Sequence, residues 1–140
     1  MSYLSTLRAR RNRVTNQIQH TRGQRSIVSN EVTRLRTALN SLNSALSDVR
    51  SAKSKIDRLS IHSSRWRGTN ETTFSNRYSS YQTTVTSFMN NADHAKDRME
   101  DDLRRAEARE QSLSSQITNL QQTLNSIDNQ IRWERAKQGG

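Results

Sequence analysis

Stepping along the chain from Leu4 by alternating threes and fours visits Leu4, Leu7, Arg11, Val14, Ile18, Thr21, Arg25, Val28, Val32, Leu35, Leu39, Leu42, Leu46, Val49, Lys53 and Ile56. Twelve of these sixteen positions are apolar, and the register does not slip. That spacing marks one long helix with a narrow a/d seam. The rhythm breaks across Ile61 to Asn70, and resumes through Phe74, Tyr78, Tyr81, Val85, Phe88, Ala92, Ala95, Met99, Leu103, Ala106, Glu110, Leu113, Ile117, Leu120, Leu124, Ile127 and Ile131. Sixteen of these seventeen are apolar, with one stutter between Met99 and Leu103. The pattern predicts an all-α, coiled-coil-like antiparallel hairpin of two long helices. A single domain spans 1–140: a first arm over about 3–62, a turn over 63–69, a second arm over about 70–134 and a frayed tail at 135–140.

The break carries Trp66-Arg67-Gly68-Thr69-Asn70. Gly68 can adopt backbone angles that other residues resist. Thr69 or Asn70 then suits the N-cap of the second helix, with Glu71 favourable in its first turn. If the chain folds back near position 67, the numbers of facing residues should add to 134 or 135. Ile56 with Tyr78, Leu35 with Met99, Ile18 with Ile117 and Leu4 with Ile131 all do so, and so do two polar exceptions, Arg25 and Glu110. The register therefore predicts a seam ion pair between Arg25 and Glu110, and places Lys53 beside Tyr81. Arms of about 60 residues would each run on the order of 90 Å at ~1.5 Å per residue. Gly23 lies off the seam between Thr21 and Arg25, where a weak spot or kink is expected.

Composition alone argues differently. Leu, Ile, Val and Phe make up 25 of 140 residues and the net charge is +10, values typical of disordered chains. Position decides the matter: 22 of those 25 residues fall on the two seams. Proline is absent and glycine occurs four times, so the chain lacks the punctuation of β-rich folds. With no cysteine there are no disulfides or thiolate metal sites. The start is not a classical signal peptide, and no apolar run is long enough for membrane insertion.

No catalytic apparatus is apparent. His20, His62 and His94 are scattered, and no glycine-rich phosphate loop exists. Asp93, Asp97 and Glu100 share one helical face near His94, an arrangement better read as a solvated acidic face than as a metal site. A thin hairpin offers no dry concave pocket. The expectation is a non-enzyme with no cofactor and no metal.

Surfaces remain. Residues 1–68 carry 14 Lys and Arg against 3 acids, while residues 69–140 carry 9 against 10. Arg8, Arg10, Arg11 and Arg13 form the densest basic stretch. A solvated face, an acidic protein partner and nucleic acid are the three readings of it; no aromatic residues interleave these arginines. A second stripe, Ala38, Ala45, Ala52 and Leu59, flanks the turn-proximal half of the first seam at seven-residue spacing. Small side chains there would admit a neighbouring helix closely. Partner binding is expected on Ala38, Ala45, Ala52, Leu59, Ile61, Trp66 and Met89, with Trp66 either anchoring the partner or covering the end of the hairpin's own core. Because two seams alone stay half wet, the hairpin should complete a three- or four-helix bundle with a partner or a second copy.

Two helices joined by a central Trp66-Arg67-Gly68 resemble the WXG small helical hairpins of bacterial type VII secretion. The opening Met1-Ser2-Tyr3, the turn Trp66-Arg67-Gly68-Thr69-Asn70 with Phe74 following, and the Ser/Gln-rich closing heptads are similar to the YwqH-like subgroup. That resemblance implies a non-enzymatic accessory subunit, chaperone-like, that docks on the helical amino-terminal domain of an LXG-type toxin or on another small helical accessory protein. It implies a bacterial cytoplasmic location with export alongside the partner. The Tyr-x-x-x-Asp/Glu export signal expected after the second helix is missing; the tail reads Trp133-Glu134-Arg135-Ala136-Lys137-Gln138, so the signal would belong to the partner. The alternatives from other classes are a basic coiled coil associating non-specifically with nucleic acid, and a self-associating structural rod.

These alternatives separate in a salt titration. Any nucleic-acid binding should be weak and without sequence preference, weakening with salt at a log–log slope near −0.9 per phosphate contact and vanishing near physiological ionic strength. Filter binding or fluorescence anisotropy with two unrelated duplexes checks it; tight, sequence-selective binding at physiological salt would reverse the order of the readings.

Overall fold

The computed structural model describes residues 2–61 and 69–139, without the side chains of 59–61 and 69–71. It is all-α: helix α1 (Tyr3–Ile61, 59 residues) and helix α2 (Thr69–Gly139, 71 residues) pack against each other as a hairpin. The Trp66-Gly68 turn motif lies outside the described residues.

Both helices are long because nothing in the sequence stops them. Proline is absent and Leu, Arg, Gln and Ala are plentiful. Ser2 caps α1: the Ser5 amide donates to Ser2 Oγ at 3.2 Å and to the Ser2 carbonyl at 3.1 Å, satisfying one of the four amides a helix leaves open. Threonines along the helices turn their hydroxyls inward, donating to the carbonyl four residues back. Thr15, Thr21, Thr33, Thr83, Thr118 and Thr123 all do this. Thr21 can therefore occupy a buried seam position, its Oγ1 donating to the Gln17 carbonyl at 2.8 Å.

One detail differs from the sequence expectation. The tail expected to fray from 135 is helical through Gly139. Ala136, Lys137 and Gln138 are good helix formers, Lys137 Nζ reaches Glu134 at 3.8 Å, and a lysine in the last turn complements the helix dipole. At Gly23, where a weak spot or kink is expected, the helix assignment of α1 runs on without a break.

The chain divides into two compact units. The first comprises Met1–Thr33 and Arg104–Gly140 and the second Arg34–Leu103. In the first, Leu4, Leu7, Ile127 and Ile131 form a buried cluster with Val14 against it. Their numbers pair as the constant sum requires. Ile18, Val28, Val32, Ala106, Leu113 and Ile117 extend the buried row. Among the described residues, the second unit buries only Leu46 and Ala92. Every buried residue among those described, Thr21 included, lies on one of the two seams. Seam membership does not guarantee burial, however: Phe88 is 50% exposed.

A Cβ added at Gly23 would meet nothing within 4 Å. Gly23→Ala should therefore stabilise the protein by about 1 kcal/mol through backbone entropy alone. Thermal unfolding followed by circular dichroism checks this. A lower melting temperature would mean that the glycine has a role the open space around it does not reveal.

Candidate partner-docking face

The second unit shows how the sequence leaves a face unfilled. One apolar residue per three or four positions gives a stripe narrower than a helix needs for full coverage. Around Leu46 and Ala92, the seam residues Leu35, Leu39, Leu42, Val49, Val85, Ala95, Met99 and Leu103 are only half-buried. Ala38, Ala45 and Ala52 are exposed, and Met89 is half-buried. Leu59 and Ile61 belong to the last turn of α1 with side chains outside the described part, and Trp66 and Gly68 lie outside the described residues. The unit thus presents a row of small exposed side chains beside a seam that its own two helices do not close.

Polar contacts fix α1 and α2 within this unit. Asp57 accepts hydrogen bonds from Lys53 Nζ at 2.8 Å, one turn earlier, and from the Tyr78 hydroxyl on α2. Tyr78 stacks on Phe74 at 6.1 Å between ring centroids and leans on Tyr81 at 6.2 Å, spacings typical of attractive aromatic pairs. Tyr78 and Tyr81 both lie close enough to act on the Lys53 charge. Arg50 approaches Asp93 at 3.7 Å, a largely exposed pair that contributes little. Asp57 was not singled out from sequence, although its spacing of four from Lys53 and its register opposite Tyr78 were both readable.

The other predicted pair, Arg25 and Glu110, belongs to the first unit, where both residues are half-buried. The Glu110 carboxylate accepts from Ser29 Oγ at 2.8 Å, and no Arg25–Glu110 ion pair occurs among the described residues. Ser29 lies one helical turn beyond Arg25, and its short neutral hydroxyl satisfies a half-buried carboxylate without desolvating a second charge.

Among the described residues no group of three His, Cys, Asp or Glu side chains could hold a metal ion. Within the acidic stretch, Asp93 faces Arg50, and Glu100 faces Lys96 at 4.0 Å. No described helix is long and apolar enough to cross a membrane.

A hairpin with one well-packed unit and one open seam is the class of protein defined by this geometry. The chain belongs to the YwqH-like family, matched over residues 9–129. No curated protein and no solved structure matches it.

The Lys53–Asp57–Tyr78 cluster makes a pH prediction. Hydrogen bonds from Lys53 first, then Tyr78, hold the Asp57 carboxyl below its ordinary value of 3.8. A carboxyl depressed in the fold adds stability that is present above that ordinary value and lost as pH falls through the folded value. The same Asp57 bond raises Lys53 above 10.5, so its contribution is lost only as pH rises through the raised value. Melting temperatures measured between pH 3 and 6 should fall less steeply toward acid in Asp57→Asn than in wild type. Parallel acid limbs would show that the cluster contributes nothing.

Proposed function

We propose that this chain is a non-enzymatic accessory subunit, chaperone-like, that docks on the helical amino-terminal domain of an LXG-type toxin for type VII secretion. Membership of the YwqH-like family and the central Trp66-Arg67-Gly68 support the reading. The observation that carries it is the uneven core: among the described residues the second unit buries only Leu46 and Ala92, while Phe88, Ala38, Ala45 and Ala52 stay exposed. A helix laid against this seam would cover half-wet Leu, Val and Met side chains at ~25 cal/mol per Å² of apolar area removed from water. The alanines would let its backbone come close. The partner contributes the missing layer of a three- or four-helix bundle and carries the export signal. The protein reaches the secretion route bound to its cargo.

Ala45 is exposed and off the seam, so a charge there leaves the hairpin's own packing alone. Ala45→Glu should abolish co-purification with the amino-terminal domain of an LXG-type toxin encoded beside this chain, while far-UV circular dichroism stays unchanged. Binding at wild-type affinity would exclude this face. A concentration-dependent mass for the isolated wild-type chain, lost in Ala45→Glu without any toxin present, would assign the face to self-association.

A further inference from the structure

Another surface, within the first unit, is of a different chemical kind. Arg8, Arg11, Arg132 and Arg135 line one open groove of about 500 Å³, together with Asn12, Asp128 and Ile131. From sequence, the arginines of the first arm face different sides of the helix. The fold selects two of them, one turn apart on α1, and sets them against two more, one turn apart on α2. Arg11 Nε donates to Asp128 Oδ1 at 2.6 Å. Among the described residues, none of the other three guanidinium groups has an ion-pair partner. Four positive charges thus share a groove with one carboxylate, over a floor that includes the buried Ile131.

We propose that this groove binds an acidic segment of a protein partner, its carboxylates bridging the arginines of the two helices. The cationic lining is entirely arginine, whose planar fork meets carboxylate or phosphate alike with two parallel bonds, so the choice rests on the surroundings. Two features favour carboxylates over a nucleic-acid backbone. The groove already holds a carboxylate: Asp128 on Arg11 shows the bond that an incoming acid would repeat. No aromatic side chain lines it, so a base would find no stacking platform. Each arginine pair spans a single turn, which suits a short peptide bearing two acids a turn apart. Asp128 competes with such a segment for Arg11. This site stands independently of the docking face, since none of its residues belongs to the second unit.

The experiment uses the full chain and three probes: a fluorescent hexaglutamate peptide, inorganic phosphate and a 12-nucleotide duplex. Arg8→Gln with Arg132→Gln should weaken peptide binding by about tenfold or more, the scale of a lost charge-assisted contact. Arg22→Gln with Arg34→Gln removes the same charge outside the groove and should change it less than about twofold, since exposed charges act weakly at a distance. Asp128→Asn, which removes the competing carboxylate, should tighten peptide binding severalfold. Equal losses in the two double variants would reduce the effect to net charge and overturn the site. So would weaker binding in Asp128→Asn. Duplex binding that the peptide cannot displace, and that the Arg8 and Arg132 variant loses, would assign the groove to nucleic acid instead and overturn the proposal as stated.

Discussion

Seven-residue spacing of apolar side chains produces a stripe, and a single stripe per helix limits what two helices can hide from water. Everything else in this structure follows from that limit. Where the stripes carry large residues on both sides, as at Leu4, Leu7, Ile127 and Ile131, they close into a dry cluster. In the second unit, the same spacing leaves most of the described seam side chains half-covered around Leu46 and Ala92. The composition that resembles a disordered chain is thus sufficient for a fold because nearly every large aliphatic residue is placed on a seam. It is insufficient for two fully dry units.

The polar residues are organised around the same limit. A chain so rich in Ser, Thr, Asn and Gln risks stranding hydroxyls and amides in helix interiors. Backbone carbonyls four residues away take up the threonine hydroxyls, and among the described residues no buried side-chain nitrogen or oxygen lacks a partner. Cross-helix polar bonds, Ser29 to Glu110 and Tyr78 to Asp57, are made at the margin of the seam. They set level and register with little burial of charge, which avoids the desolvation that a buried ion pair carries.

Much of this was legible in the sequence because helical periodicity is a property of order along the chain. The two helices, the seams and the antiparallel level of Leu4 with Ile131 could all be read from spacing. What spacing does not encode is how deeply a given position is covered. Phe88 has seam phase and is nonetheless half exposed. Complementary charge at Arg25 and Glu110 suggested an ion pair; the carboxylate takes Ser29 instead, because side-chain reach and desolvation matter as much as sign. The groove of Arg8, Arg11, Arg132 and Arg135 was invisible for a related reason. It unites residues from the two extremes of the chain, and only the folded register reveals which arginines share a side. The helical tail beyond 134 shows a third limit, for one ion pair and three good helix formers outweigh the usual looseness of a chain end.

The placement of the dry cluster has a mechanical consequence. Tyr78 and Asp57 meet across 21 positions of chain, whereas Leu4 and Ile131 meet across 127. Loop closure grows only logarithmically, so the longer loop costs about 1.6 kcal/mol more to close directly. A pull on the two termini reaches Leu4, Leu7, Ile127 and Ile131 before any other layer. A hairpin drawn apart from its ends opens one layer at a time, so its resistance comes in successive steps rather than all at once. Within the first unit, the buried row of Ile18, Val28, Val32, Ala106, Leu113 and Ile117 then meets the load in its turn.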